Sequence, residues 1–258
     1  MKFSLSHWDD TAKAHLQMHL SIILWGVTGV IGRGIDLNEG LLVWYRLILV
    51  TVSLFAYIRW QKLNLRLSKA LLKRLFIVGN ILMVHWLCFY GAIKYSNVSV
   101  TLSLFASTTL FTALLNPFFT GQKLHRGELG YSLLAMLGIA IIFYTDTNEY
   151  NLGILLALLA AFIGAFFNIL NKSVVATVPS SVISFYEIGF GLVLLTLIMP
   201  FYLYLFPTEK LTPNLTDWGL LLILSFVCTH ITMILSLNAL RHLSPFTLNL
   251  AINLEPVY

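Results

Sequence analysis

Long apolar segments separated by short polar breaks run through the whole chain. We count nine of them in the 258 residues, and the ninth is cut short at Tyr258. A helix of about twenty residues spans the roughly 30 Å of bilayer hydrocarbon and satisfies its own backbone groups without water. The pattern predicts membrane helices over residues 15–35, 40–59, 73–94, 98–119, 127–145, 151–172, 180–206, 217–240 and 245 onward.

The composition excludes a soluble domain. Hydrophobic residues make up 58% of the chain and charged residues only 10%, and the mean hydropathy is +0.84. Soluble domains carry about 25% charged residues. The first segment has no small-residue cleavage site, so we expect a retained helix rather than a signal peptide. The predicted fold class is an all-α polytopic membrane protein.

The distribution of basic residues predicts the orientation. With the N-terminus inside the cell, twelve Lys and Arg residues lie inside, three lie outside, and Arg46 lies within a span. This positive-inside bias indicates an N-terminus in the cytoplasm, and basic residues confined to short loops do not indicate nucleic-acid binding. The inside set is Lys2, Lys13, Arg59, Lys62, Arg66, Lys69, Lys73, Arg74, Lys123, Arg126, Lys172 and Arg241, and the outside set is Arg33, Lys94 and Lys210.

A weak internal repeat divides the chain in two. Residues 44–46 resemble residues 185–187, and residues 92–95 resemble residues 239–242. An odd number of spans separates the matched segments, so the repeats must be inverted, which is a known way to build a transporter. We predict a first five-helix repeat over residues 1–145 and a second over residues 151–258, truncated in its ninth span. The tenth helix of this inverted-repeat architecture is then absent from the sequence.

Four segments carry a resemblance to a known family. Residues 89–95, 137–142 and 238–240 and, most specifically, residues 253–258 (NLEPVY) resemble the EamA family of permeases in the drug/metabolite transporter superfamily. The resemblance extends over essentially the whole chain and implies ten helices and the export of small organic metabolites.

The chain departs from the family pattern in three places. The family carries a proline in the fourth span, where this chain has Ser107, Thr108 and Thr109. Gly121 is followed by Gln122 instead of the family's glutamate. The missing tenth helix is the largest departure, and it favours a truncated or incompletely recorded sequence.

Glu255 is the main candidate for a functional group. It lies about eleven residues into the ninth span, or some 16 Å along a helix, which places it near the middle of the membrane. Pro256 lacks an N–H, frees the carbonyl of Ile252 and is expected to kink the helix. Ionisable groups at this depth are costly, so each is a site candidate by default. A substrate amine contact or a proton carrier suits Glu255, and a protonated structural contact is the alternative.

Other polar and aromatic residues within the spans are weaker candidates for the substrate cavity. The histidines titrate near neutrality and could couple transport to protons, whereas neutral histidines bonded between helices are the alternative. For Trp25 and Trp86, ordinary helix packing is an equally simple interpretation. These candidates are Trp25, His85, Trp86, Tyr90, Thr108, His230 and Asn253.

Two further intramembrane charges, Arg46 and Glu187, occupy matched positions in the two repeats. Their distances from opposite faces put them about 10 Å apart in depth. We therefore expect separate partners, or an Arg46 side chain that reaches toward the outer headgroups, instead of a direct ion pair. Their role is left open.

No enzyme motif, nucleotide-binding loop, cofactor motif or metal-ligand spacing is present in the sequence, and Cys88 and Cys228 are expected to be free thiols. We predict a secondary transporter, an exporter of small organic metabolites such as amino acids, that works by alternating access about a cavity at the middle of the membrane. Proton coupling through Glu255 is a hypothesis. A translocase of lipids or lipid-linked substrates and a non-transporting membrane component are the alternatives. The expected partners are a small-molecule substrate and the bilayer.

Overall fold

A computed structural model describes residues 9–121, 126–142, 150–255 and 257–258. Lys2, Lys123 and Pro256 lie outside these ranges. The regular structure within them is helical. It consists of α1 (Asp10–Gly34), α2 (Glu39–Trp60), α3 (Lys69–Tyr95), α4 (Val98–Phe105), α5 (Thr108–Thr120), α6 (Arg126–Ile142), α7 (Asn151–Lys172), α8 (Ser180–Leu205), α9 (Leu215–Ser225), a π-helical segment (Phe226–Ile231), α10 (Thr232–His242) and α11 (Pro245–Ile252).

Each of the nine predicted spans contains helix in the part of the chain that the structure describes, and residues 143–145 of the fifth lie outside that part. Within the described ranges, seven stretches are long and apolar enough to cross a membrane, if α4 with α5, and α9 through α10, each count as one. Large apolar side chains such as Val52, Leu155 and Leu197 are exposed on the helix surfaces, as a lipid-facing surface requires. The all-α membrane fold predicted from the sequence is therefore confirmed.

Polar residues at the loop junctions determine where the helices begin. A side-chain oxygen of the capping residue accepts a hydrogen bond from a backbone N–H in the first turn, which satisfies a group that the helix leaves free. At α9 the cap is reciprocal, because Asn214 and Asp217 each bond the other's backbone N–H. The capping residues whose side chain accepts such a bond without the reciprocal one are Asp9, Asn38, Ser68, Asn97 and Ser244.

Helix α3 lies at the centre and packs against α7 and α8, while α1 packs against α10 and α2 against α8. Glycines permit the closest approaches. A Cβ on Gly79 of α3 would collide with the backbone of Glu187 in α8, and one on Gly191 would lie 3.0 Å from the Met83 Cβ. Small residues at a helix crossing bring two backbones together, which is how membrane helices gain packing energy.

The fourth span is broken although it has no proline at the break, since Pro117 lies further along, within α5. Helix α4 ends at Phe105 and α5 begins at Thr108. The Ser107 hydroxyl donates to the Leu104 carbonyl (2.7 Å), and the Thr108 hydroxyl donates to the Phe105 carbonyl (2.5 Å). Hydroxyl side chains that bond to the preceding turn compete with the helix ladder. The hydroxyl-rich run thus accompanies a break where the family has proline.

The ninth span repeats this pattern. Helix α11 begins and ends 147 residues after α4 does, and turns follow at Asn253, Leu254 and Glu255. The Ile252 carbonyl, which the sequence predicted to be free, accepts from the Glu255 N–H at 2.8 Å. The same numerical offset makes Glu255 the counterpart of Thr108. Two short half-helices therefore end at matched positions, and a polar residue lies three positions after each end, at Thr108 and at Glu255.

Two reciprocal contacts join helix ends, and we call them the first and second clasps. In the first, Arg33 donates to the carbonyls of Ile93 and Lys94 (3.2 Å each), and the Lys94 ammonium donates to the Ile35 carbonyl. In the second, the Lys172 ammonium donates to three carbonyls and the Arg241 guanidinium donates to the Val178 carbonyl (2.6 Å). The Lys172 acceptors are the carbonyls of Leu240, Arg241 and Leu243.

In the first clasp both cations lie at C-terminal ends of helices, where the helix dipole is negative. In the second, Lys172 lies at the C-terminal end of α10, whereas Arg241 bonds Val178 in the loop between α7 and α8. The first joins α1 to α3, and the second joins α7 to α10. Lys94 and Arg241 are again 147 residues apart. A similar pair of cations therefore occurs once in each predicted repeat.

Candidate functional site

A cavity of about 90 Å³ lies among α1, α2, α3, the α4–α5 break, α7, the π segment, α10 and α11. Aromatic side chains form much of its wall, and Arg46, Glu255 and several hydroxyls supply its polar groups. Binding sites for small molecules combine mostly apolar walls with a few placed polar groups. This cavity is the best candidate for a functional site within the described residues.

Six of the eight substrate-cavity candidates from the sequence line this cavity, and two do not. The six are Trp25, His85, Trp86, Tyr90, Thr108 and Glu255. His230 and Asn253 lie elsewhere. Of the two charges left open by the sequence, Arg46 lines the cavity and Glu187 does not.

Arg46 is 3% exposed and its guanidinium points inward. Its Nε donates to the Thr229 hydroxyl (2.7 Å) and its Nη1 donates to the Tyr90 hydroxyl (2.8 Å). The guanidinium carbon lies 3.9 Å from the ring centroid of Trp86, within the range of a cation–π interaction. The side chain therefore does not extend to the headgroups, because hydroxyls and an aromatic face inside the protein receive it.

The π segment positions one of these hydroxyls. Thr229 donates to the carbonyl of Leu224, five residues earlier (2.7 Å), and its oxygen accepts from Arg46. A π turn holds one residue more than an α turn, which rotates the following side chains, and such turns are frequent at functional sites. Cys228 and Thr232 from the same stretch also line the cavity.

Tyr90, the second hydroxyl partner, is positioned by α1. Its ring packs directly on Gly32, where any Cβ would overlap the ring carbons. Phe89 lies edge-on to the same ring, with centroids 5.4 Å apart. Gly32 thus makes the space that brings the Tyr90 hydroxyl to Arg46.

Glu255 is 5% exposed and lies in the turn after α11. Gly26 of α1 faces it, since a Cβ there would lie 3.0 Å from the Glu255 carbonyl oxygen and 3.9 Å from its Cγ. Neither carboxyl oxygen receives a hydrogen bond from the described residues, and no cation lies within 4.0 Å among them. The cavity therefore contains a carboxyl group whose polar contacts are open to a ligand.

Two other cavity residues are bonded to neighbouring helices. The Trp25 indole N–H donates to the Thr232 hydroxyl (2.9 Å), which ties α1 to α10. His85 Nδ1 lies 2.9 Å from the Ala160 carbonyl, and because a carbonyl only accepts, Nδ1 carries the proton. The other ring nitrogen, Nε2, is then left to accept a hydrogen bond in the cavity.

The two candidates outside the cavity make contacts between helices. His230 lies 2.7 Å from the Ser53 hydroxyl and packs edge-on to Tyr57, both on α2. The Asn253 side-chain oxygen accepts from the Thr109 hydroxyl at 3.3 Å. The His230 contact fits the structural alternative that the sequence left open.

An amide network lies beside the cavity. Asn168 donates to the Asn249 side-chain oxygen (2.6 Å), and the Asn249 amide donates to the Thr112 hydroxyl (2.6 Å). These bonds join α7, α11 and α5, so the broken span 4 is tied to its counterpart in span 9. Asn168 and Asn249 also contribute to the cavity wall.

Glu187 lies in a separate place. It is fully buried next to the Asn171 amide, and neither carboxyl oxygen reaches a good hydrogen-bond geometry. Gly79 packs on its backbone. Arg46 and Glu187 form no ion pair, since one faces the cavity and the other faces the α3–α8 contact.

Several cavity residues have no sequence signal that would have revealed them. Thr229 becomes a partner of Arg46 only through the π turn, which no motif announces. Phe105 enters the wall because the fourth span breaks directly after it. The Ser107-Thr108-Thr109 run was a usable signal for that break. Among the described residues, no three His, Cys, Asp or Glu side chains are grouped as a metal site would require.

Comparison with known proteins adds independent information. The family model described as "EamA-like transporter family" matches residues 12–144 and 151–258. The chain is similar to "Uncharacterized transporter YxxF" of Bacillus subtilis (strain 168), with 24% identity over 250 residues, or 94% of this chain and 78% of the relative. A solved crystal structure has a similar fold, with a TM-score of 0.73 and 18% identity over 95% of this chain and 85% of that one.

Proposed function

The chain belongs to the EamA-like transporter family, and from this we propose that it is a secondary transporter that exports a small organic metabolite by alternating access. The resemblance seen in the sequence is confirmed by the family match. The protein is an integral membrane protein. The proposal adds the inner membrane, a cytoplasmic N-terminus, the direction of transport and the class of substrate.

The observation that carries the proposal is the cavity. Its wall is built from helices of both predicted repeats, including the two half-helix ends at Phe105 and Ile252. In transporters with inverted repeats, the substrate lies between the repeats where helices are discontinuous. The volume of about 90 Å³ favours a small solute over a lipid-linked one.

A proton gradient is the proposed source of energy. Glu255 is the carboxyl group of the cavity, and His85 presents a free ring nitrogen there. A carboxyl that is accessible from alternate sides can bind a proton on one side and release it on the other. We propose Glu255 as the proton carrier.

Metabolite profiling of spent medium tests export. Cells that express the wild type should enrich the medium in one or a few small metabolites, and cells that express Glu255→Ala at the same membrane level should not. Glu187→Gln is the matched control, because it changes a buried carboxyl group outside the cavity and should retain export. A medium unchanged by correctly inserted wild type would contradict the proposal.

The coupling is tested separately with the exported metabolite in proteoliposomes. Glu255→Gln keeps the shape of the side chain and removes its titration, so transport driven by a pH gradient should be lost while exchange of labelled for unlabelled solute persists. Full dependence on the pH gradient in Glu255→Gln would remove Glu255 from this role.

A further inference from the structure

The cavity holds a cation, Arg46, that forms no ion pair with the described residues. Arg46 is 3% exposed, and no acidic side chain lies within 4.0 Å of it among the described residues. Its two bonded nitrogens meet hydroxyls, which are neutral. Burying an unpaired charge is costly, and membrane proteins usually pair such groups or place them where a ligand binds.

The bonds that Arg46 makes also leave one end of it free. Nε and Nη1 are held by Thr229 and Tyr90, whereas Nη2 makes no hydrogen bond to the described residues. The hydroxyls and the face of Trp86 hold the guanidinium plane in one orientation. A planar guanidinium with a free edge matches a carboxylate, which it can bind through two parallel hydrogen bonds.

We propose that Arg46 is the anion subsite of the cavity and that the transported solute carries a carboxylate that binds there. The inference rests on the proposed transport function and names the charged group of its substrate. Arg46 supplies the counter-charge, and Thr229 and Tyr90 act as positioning residues. The aromatic side chains at this end, Trp86 and Phe89, receive the apolar part of the solute.

The cavity size limits the solute in this conformation. About 90 Å³ is enough for several water molecules, so a solute of about five heavy atoms fits. Propionate, propionamide and propylamine have that size and differ mainly in charge. They are suitable probes because the natural substrate is not needed to measure the charge preference of the subsite.

The test is a binding titration of purified protein in nanodiscs at constant ionic strength, with the change in intrinsic tryptophan fluorescence, to which Trp25 and Trp86 in the cavity contribute, as the signal. For the wild type we expect propionate to bind at least tenfold more tightly than propionamide, and propylamine no more tightly than propionamide. In Arg46→Gln the preference for propionate should fall below about twofold. Equal binding of propionate and propionamide by the wild type, or a tenfold preference that survives in Arg46→Gln, would overturn the proposal.

Arg46→Lys carries the test if Arg46→Gln does not fold. It keeps the positive charge and loses the planar fork, so propionate affinity should fall about tenfold while propionamide affinity stays the same. A purely structural role for Arg46 would change both probes equally or neither, and either result would overturn the proposal.

Export and charge preference are measured independently, so the two ideas can fail separately. A wild type that exports a metabolite but binds propionate and propionamide equally would overturn the anion subsite and leave transport intact. A wild type with the expected charge preference and no export would support the subsite and contradict the transport proposal.

Discussion

At the scale of single residues, the contacts of Arg46 depend more on the direction in which its side chain leaves α2 than on its depth in the membrane. The sequence placed Arg46 and Glu187 at matched positions and correctly gave no reason for them to meet. It could not give the rotation of α2 about its axis, because a helix that is apolar on all sides has a blurred periodicity. That rotation turns Arg46 toward Tyr90 and Thr229.

Gly32→Ala tests this arrangement. A methyl group at Gly32 overlaps the ring of Tyr90, so either the ring or α1 must move. Overpacking of this kind costs about 1–3 kcal/mol, and displacement of the Tyr90 hydroxyl should also weaken binding at Arg46. The measurements are the melting temperature in detergent and the propionate titration.

Gly219→Ala is the matched control, since it adds the same methyl group to a helix where nothing lies within 4 Å. It should leave both the melting temperature and the titration nearly unchanged. A Gly32→Ala protein that behaved like this control would show that Tyr90 can move without consequence.

At the scale of helices, the sequence predicted the spans well and their interruptions poorly. Apolar runs determine where a membrane helix lies, because a backbone in lipid must be helical. The α4–α5 break and the π segment depend on local hydrogen bonds of hydroxyl side chains, which leave the apolar pattern intact. Thr229 therefore looks in the sequence like an ordinary residue of a continuous span, whereas the hydroxyl run at Thr108 gives some indication of the break.

Deletion of Val227 tests the role of the π segment. Val227 is partly exposed on the outer side of this segment, and removing one residue should convert the turn into regular α-helix. Thr229 would then rotate away from Arg46. We expect the protein to insert and fold, with propionate affinity reduced about tenfold or more.

Deletion of Ile223 is the control for this experiment, because it shortens α9 before the π segment by one exposed residue. It shifts the helix without removing the π turn and should disturb folding more than the Val227 deletion does. Unchanged propionate binding after deletion of Val227 would contradict the assigned role of the π segment.

The second clasp gives another prediction at the scale of helices. Lys172→Met removes a charged donor from three carbonyls at the end of α10, and hydrogen bonds to charged groups contribute about 1.5–3 kcal/mol each at most. The melting temperature should fall by several degrees. Lys69→Met, which changes an exposed lysine at the start of α3, should leave it unchanged.

At the scale of the whole molecule, the three basic residues on the side predicted to lie outside the cell all bond to other groups of the protein. Arg33 and Lys94 form the first clasp. Lys210 bonds the carboxylates of Asp217 (2.8 Å) and Asp36 (2.7 Å), and these two bonds raise its pKa. Local contacts therefore account for each of the three exceptions, and the twelve remaining residues predict the orientation.

Cysteine labelling tests that orientation. In a chain with Cys88→Ala and Cys228→Ala, a cysteine at Glu209 lies in the loop predicted outside, and one at Gln61 lies in a loop predicted inside. A membrane-impermeant thiol reagent should label position 209 in spheroplasts and position 61 only after lysis. Labelling of position 61 in intact spheroplasts would reverse the topology.

The clasps have a consequence for the evolutionary record of such proteins. Their acceptors are backbone carbonyls, which every residue type possesses, so only the cations at Arg33, Lys94, Lys172 and Arg241 are constrained. The residues that supply these carbonyls can change in type during evolution while the contact persists. A statistical search for co-varying pairs should therefore pass over the contacts that join these helix ends, and an alignment should show them only as isolated columns of basic residues.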